Sequence, residues 1–487
     1  MKTTRQLLPQ FLNRLFTKQA GESSRSFDAA GGGRRWDKAA TVGNLNSAIL
    51  AASTVTARRA AYYVRNNAWV DSAVSSLVGN AVGAGIKPRS QHPDPAVRDA
   101  LHTLWDAWVD VADAGGLGDF YGLQALAVRA MIEGGEAFAR LRTRFPSDGL
   151  PVPFQVELID REQVPLDRFG DFGSARIRAG IEFDTIGRRV AYHVLPARLD
   201  DPFAPLTGNP FNPTRVPAED MVHLFRPIAA GQLRGITWLA PVLLRLHELD
   251  QFEDAALVRA KVNALFCGFV RDPDGTVAGQ NDGSAVNGIL DMGMEPGTLL
   301  PLPPGADIAF SDPKGDTSYD PFVKNHLRAI AAGLGLPYEA MTGDLSGVNY
   351  SSIRAGMVEF RRRLEQLQHL TIIHQLCRPV WERFVRLAVL SGALPVSDFS
   401  QNPAPYLAVK WLPPAFEWVD PVKDVRAEIE AINAGLKSRS QAIAERGYDA
   451  EQLDAEIAAD REREQSLGLA FTDPPAAEPS QAPENPQ

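Results

Sequence analysis

Between residues 46 and 113 apolar side chains return every three or four positions. Val70, Val74, Leu77 and Val78 share one face of a helical stretch predicted over 46–82, which Gly83, Gly85 and Pro88 stop. Leu101, Leu104, Trp105 and Trp108 stripe a second helix, over 94–113. From 136 to 225 the period switches to alternation. EAFARLRT, PFQVELI, RIRAGIEFD, RVAYHVLP and MVHLFRP, punctuated by Gly and Pro, predict an antiparallel sheet region.

Pro241 to Val270 has no internal proline and a single glycine, Gly268, so one long helix is predicted there. At about 1.5 Å per residue it is a rod of roughly 45 Å, longer than most globular domains need. Residues 271–318 return to Gly, Pro and Asp with short extended pieces, GTLLPLP and ADIAFSD. A helix follows over 320–334, and a near-continuous one over 352–391, which Pro379 is expected to kink. Residues 395–419 read as extended, YLAVKWLPP most strongly, and 421–465 as two charged helices around a turn at Gly447. The final GLAFTDPPAAEPSQAPENPQ, with its many prolines, reads as disordered. The fold class is α+β with unusually long helical rods and no internal repeat.

Length and charge narrow the function. A chain of 487 residues with 45% apolar content forms two or three folding regions. Its net charge of −9 argues against stoichiometric wrapping of nucleic acid. Cys267 and Cys377, both in apolar helical contexts, read as buried free thiols in a reducing compartment. There is no apolar run of membrane-spanning length, and MKTTRQLLPQFLNRLF lacks a signal core, so a soluble cytoplasmic chain is expected. The Gly, Ser and Arg-rich stretch 17–45, with GGGRR, suits a mobile arm.

Enzyme signals are poor throughout. In INAGLKSRS a leucine separates Gly435 from Lys437, which spoils a phosphate loop. Gly333 and Gly335 follow a helix and lack a third glycine, and there is no G-x-S-x-G. His247–Glu248 begins like a zinc helix but has Gln251 where the second ligand belongs, and His369 and His374 fall on different helix faces. Asp160 with Glu162, and Asp312 with Asp316, read as turn residues beside strands. Trp105, Trp108, Trp381, Trp411 and Trp418 sit within apolar periodicity and read as core.

One stretch stands apart, LPYEAMTGDLSGVNYSSIRAGMVEFRRR at 336–363. A polar, glycine-bearing loop lies between two helices, the second carrying Arg354, Arg361, Arg362 and Arg363. A catalytic lid, a phosphate cradle and the lining of a passage for a long polyanion all fit such a loop. Three consecutive arginines cannot all face one ligand. Glu359 and Glu365 lie near enough to pair with them, so a salt-bridge network competes with direct phosphate contact.

Five blocks resemble the lambda-type portal proteins of tailed phages. They are RSFDAAGGGRRWDKA with AAYYVRNNAWVDSAVSSLVGNAVGAGIKP; EGGEAFARL with VELIDREQVP; VPAEDMVHLFRPIAAGQLRGITWLAPVLLRLHELDQFEDAALVRAKVNA; DPFVKNHLRAIAAGLGLPYEAMTGDLSGVNYSSIRAGMVEFRRRLEQLQ; and DPVKDVRAEIEAINAGLKSRSQAIAERGYD. They span about 20–455 in the family's order.

The resemblance implies a portal fold with wing, long-helix stem, clip and helical crown, assembled as a ring, typically a dodecamer. In this numbering it divides the chain into an N-terminal arm (1–60), wing (61–235), first stem helix (236–270), clip (271–318) and second stem helix (319–336). A tunnel loop (337–352), a kinked wing helix with its return strand (353–420), crown helices (421–465) and a disordered tail (466–487) complete it. Thr342, Gly343, Asp344, Leu345, Ser346, Gly347, Val348, Asn349 and Tyr350 would face a channel for double-stranded DNA.

Terminase large subunit, head–tail completion protein and major capsid protein are the implied partners. The implied place is the capsid portal vertex of a virion, after assembly in the host cytoplasm. No catalytic group, cofactor, metal or membrane is implied. From the residues alone, a ring-forming adaptor without DNA passage and a hydrolase with 336–352 as lid remain the alternatives.

Overall fold

The computed structural model describes residues 43–172, 175–202, 209–265, 269–271, 285–286, 289–290, 300–302, 319–347, 349–415 and 421–469. Asn44 caps the first helix, α1 (Leu45–Asn66), by accepting the Asn46 N–H at 2.9 Å. Asn67, in extended conformation, ends α1 and starts α2 (Ala68–Val82), its side chain accepting from Val70 N. The single helix expected over 46–82 is therefore two, because one asparagine caps both. The first part of α1 falls within the segment assigned to the arm, with Ile49, Ser53, Ala57 and Ala60 buried.

A short strand, β1 (Lys87–Ser90), precedes α3 (Pro95–Val109) and α4 (Phe120–Gly134). The alternating region forms two antiparallel sheets. One has the order β3-β2-β9, from β2 (Glu136–Thr143), β3 (Phe154–Ile159) and β9 (Met221–Phe225). The other has the order β4-β5-β6-β7-β8, from β4 (Gly170–Phe172), β5 (Ala175–Arg178), β6 (Ile181–Phe183), β7 (Arg189–Val194) and β8 (Thr214–Pro217).

The long rod is α5 (Leu243–Leu265), shorter than expected at both ends. Residues 266–268 lie outside the described residues, and Phe269–Arg271 is already a strand, β10. Of the 271–318 segment only fragments are described: β11 (Ala285–Val286), β12 (Ile289–Leu290) and β13 (Leu300–Leu302), the last parallel to β10. Asp312, Asp316, Cys267, Trp418 and residues 470–487 lie outside the described residues.

After α6 (Tyr319–Leu334) comes a short helix, α7 (Tyr338–Thr342), and then α8 (Tyr350–Leu367). The expected disturbance at Pro379 takes the form of a ten-residue π-helical stretch, Gln368–Cys377, leading into α9 (Arg378–Leu390). Arg378 N–H bonds Ile373 O, five residues back. A wider turn accommodates a ring that would otherwise press on the preceding carbonyls.

YLAVKWLPP divides into a helical turn, α10 (Ala404–Leu407), and β14 (Val409–Leu412), which pairs antiparallel with β1. The C-terminal helices number three among the described residues: α11 (Pro421–Asn433), α12 (Arg439–Glu445) and α13 (Ala450–Leu467). The additional break lies at Ser438, whose hydroxyl caps α12 through Gln441 N at 3.0 Å.

The main core gathers residues remote in sequence. Trp105 and Trp108 of α3 meet Trp381 and Phe384 of α9, with Trp105 ring centroids 5.3 and 5.0 Å from theirs. Trp108 stacks on Phe154 at 5.2 Å and donates to the Phe154 carbonyl at 2.7 Å. A second cluster, including Phe138, Ile181, Tyr192 and Val216, holds the two sheets together. Cys377 is buried in the main core, where desolvation pushes its thiol pKa up and keeps it unreactive. Among the described residues no helix is long and apolar enough to cross a membrane.

Candidate functional site

The 336–352 segment is more ordered by its own side chains than its composition suggests. Pro337 starts α7 and Gly343, at φ +69°, ends it with its N–H on Glu339 O at 2.8 Å. That left-handed conformation is why a glycine stands there. Met341 is fully buried, and Ser72 of α2 donates to its carbonyl at 2.7 Å, which anchors the loop's entry to the core. Thr342, assigned to the loop from sequence, is the last residue of α7. Its hydroxyl donates to Tyr338 O at 2.9 Å and receives Asp344 N–H at 3.2 Å.

Asp344 is the loop's organiser. Its Oδ1 accepts from Ser346 N at 3.0 Å and from the Ser346 hydroxyl. Its Oδ2 accepts from the Tyr338 hydroxyl at 3.1 Å and lies 3.8 Å from Lys324 Nζ of α6. The Ser346 hydrogen bonds, then Tyr338 and Lys324, pull its carboxyl pKa down to about 2. The one negative charge of Gly343–Asn349 is thus tied back to its own chain. Leu345 is 61% exposed, and Ser346, Gly347 and Asn349 are exposed. Val348 lies outside the described residues, and Tyr350 opens α8.

The basic helix behind the loop is largely committed internally. Arg354 bonds Asp424 of α11 at 3.1 Å, and Arg363 pairs with Glu359 at 3.4 Å. Arg361 is half-buried, and desolvation lowers its pKa, while Arg362 is exposed. No position between Met341 and Ile353 is itself Lys or Arg, and the exposed loop positions are Leu, Ser, Gly and Asn.

The other predicted features have structural partners. Asp160 and Glu162 pair with Arg198 at 2.9 and 3.3 Å, and Glu162 also with Arg58 at 3.0 Å. His247 takes part in hydrogen bonds with the Tyr63 hydroxyl and the Gln251 side chain, both at 3.2 Å. Among the described residues no three His, Cys, Asp or Glu side chains gather as a metal site.

Sequence reasoning missed the most buried ionic group of the described chain. Glu136 on β2 accepts from Arg234 at 2.7 Å, from His223 Nε2 at 3.0 Å and from Gly235 N at 2.8 Å. Arg234 also donates to the carbonyls of Val164 and Ala179 at 3.0 and 2.7 Å. A glutamate placed directly before the apolar Ala137, Phe138 and Ala139 was the available signal. Arg189 Nη1 lies 3.3 Å from His223 Nδ1, and a guanidinium only donates, so Nδ1 accepts and Nε2 carries the proton toward Glu136. Burial lowers the His223 pKa to about 4, against the raising effect of Glu136. Burial alone would raise Glu136, but Arg234 and His223 hold it well below the usual carboxylate range.

A known family matches residues 32–368, under the description "Phage portal protein, lambda family". This chain belongs to the lambda family of phage portal proteins. The "Probable portal protein" of Halomonas phage phiHAP-1 is 25% identical over 452 residues, covering 89% of this chain and 85% of that one. The "Portal protein" of Escherichia phage N15 is 25% identical over 329 residues, covering 61% of this chain and 60% of its own. "Portal protein B" of Escherichia phage lambda is 23% identical over 339 residues, covering 62% and 61%.

Among solved structures, the neck of a native GTA particle computed with C12 symmetry aligns at TM-score 0.41 and 15% identity, over 85% of this chain and 94% of that one. The virion of a native gene transfer agent particle aligns at TM-score 0.37 and 14% identity, over 91% and 98%. The portal family matches both the loop and the sheet region that holds the Glu136 hub.

Proposed function

We propose that this portal protein assembles as a ring of about twelve copies at one capsid vertex and that double-stranded DNA passes through its centre. The observation that carries the reading is the loop at Gly343–Asn349. It sits between two helices in a chain matched to portal proteins over 32–368, and it offers no cation to phosphate. Duplex DNA carries about one charge per 1.7 Å, and every lysine or arginine contact adds salt-dependent affinity. A ring of arginine-bearing loops would hold DNA. Loops of Gly, Ser and Asn, with their carboxylate bonded to Tyr338 and Ser346, let it slide.

In the same reading α5 and α6 form the stem, 271–318 the clip and 421–465 the crown. The clip meets the terminase large subunit during packaging and the head–tail completion protein afterwards, and the wing meets the major capsid protein. No catalytic group is required of this chain, since the packaging ATPase is a partner.

Replacing Ser346 and Asn349 together by lysine tests the sliding mechanism. Rings are expected to form normally, while packaging in vitro slows and becomes more sensitive to low salt. Packaging at the normal rate with those lysines in place would sink the sliding argument.

A further inference from the structure

A groove of about 500 Å³ opens between α8, the π-helical stretch, the end of α6 and the connection from β9 to α5. Leu77, Trp238, Leu367 and Leu370 give it an apolar wall, with Leu370 64% exposed at the rim. At its mouth the Arg226 guanidinium lies over the buried Trp238 indole, 4.0 Å from the ring centroid. Arg226 is exposed, and among the described residues no carboxylate or carbonyl bonds to it. A cation held on an aromatic ring above an apolar trough matches an occupant that brings a carboxylate beside an aliphatic side chain.

The chain carries such a surface itself. On α5, Leu246 and Leu249 are buried, and at 3.6 residues per turn the opposite face presents Leu244, Glu248, Gln251, Asp254 and Val258. Leu244 is 72% and Val258 58% exposed. Glu248 and Asp254 are exposed and have no ion pair among the described residues. Both halves, an unmatched cation over a trough and unmatched acids beside exposed aliphatics, are complementary in charge and in apolar character.

We infer that the groove receives the outer face of α5 from a neighbouring copy of this chain. Arg226 meets Glu248 or Asp254, and Leu370 meets Leu244 or Val258. The inference rests on the ring reading and specifies its contact. Groove and helix are different surfaces of one chain, so the contact is head to tail. Such a contact closes into a ring by rotation rather than pairing two copies face to face.

The test uses two full-length variants, Arg226→Glu and the double change Glu248→Arg with Asp254→Arg, followed by native mass and electron microscopy. Each alone is expected to lower ring yield about tenfold while circular dichroism stays native. Mixed in equal amounts, they are expected to restore rings of alternating composition, since each reversed charge then faces its complement. Normal rings from either variant alone would overturn the interface and leave the ring standing. Folded variants that stay apart when mixed would also overturn it and assign the groove to another partner. If the unaltered chain forms no ring under any condition, the ring reading itself fails.

Discussion

Glu136 and Arg234 lie 2.7 Å apart with side chains 0% and 1% exposed, and this pair joins the three-stranded sheet to the connection leading into α5. Ninety-eight positions separate them, and neither has water to fall back on. Removing one partner from such a pair leaves an unpaired buried charge, at a cost of about 3–5 kcal/mol. Glu136→Ala is expected to lower the chemical-denaturation midpoint accordingly, and so is Arg234→Met. A midpoint that does not move would show that relaxation or water satisfies the remaining partner.

The same hub makes the fold acid-sensitive. The folded-state pKa of His223 is depressed from 6.5 to about 4 by burial, and that of Glu136 is held well below 4.5 by Arg234 and His223. Both shifts are downward, so the unfolded chain takes up protons first as pH falls. Stability is expected to be full above about pH 6.5 and to decline through His223 toward pH 4, with Glu136 adding to the loss below 4.5. His102 and His193, whose pKa values burial also lowers, act in the same direction. Denaturation midpoints from pH 7.5 downward check this, and a rise in stability on acidification would reverse the assigned sign. A His223→Gln variant should show a shallower decline.

Close backbone approach brings Arg234 to Glu136. A Cβ on Gly235 would stand 2.1 Å from the Gly135 carbonyl oxygen, a backbone atom that cannot swing aside as a side-chain end can. Gly235→Ala is therefore expected to push the 226–238 connection off the α4–β2 junction. Soluble yield and thermal midpoint should both fall, more than for Gly347→Ala, where the added atom meets open space. Equal behaviour of the two variants would rule out a packing role for Gly235.

Asp344→Ala removes the acceptor that Ser346 and Tyr338 share. Faster amide exchange is expected over 343–349, with no change in the buried neighbour Met341 or in the global midpoint. Unaltered exchange in that stretch would show that the helices alone hold the loop.

Most long elements were legible from hydrophobic period and from Gly, Pro and Asn, while the helical turn inside YLAVKWLPP and the π-helical stretch before Arg378 were not. The alternating 136–225 region is sheet, the Pro- and Gly-free stretch after Pro241 is a rod, and the family resemblance rests on five blocks between about 20 and 455, with the family match over 32–368. These signals are local, so one residue's neighbours suffice to express them.

Tertiary structure alone decided what each charge does. Nothing in the sequence near Asp344 or Arg354 names their partners: Asp344 is held by Tyr338 and Ser346, and Arg354 by Asp424 of α11, seventy positions away. Glu136 looked like one more strand residue, since nothing in the chain's order joins it to Arg234, His223 and Gly235. Hydrophobic period survives in sequence because burial is repeated along an element. An ion pair between distant segments leaves no period, and only the folded backbone brings its partners within reach.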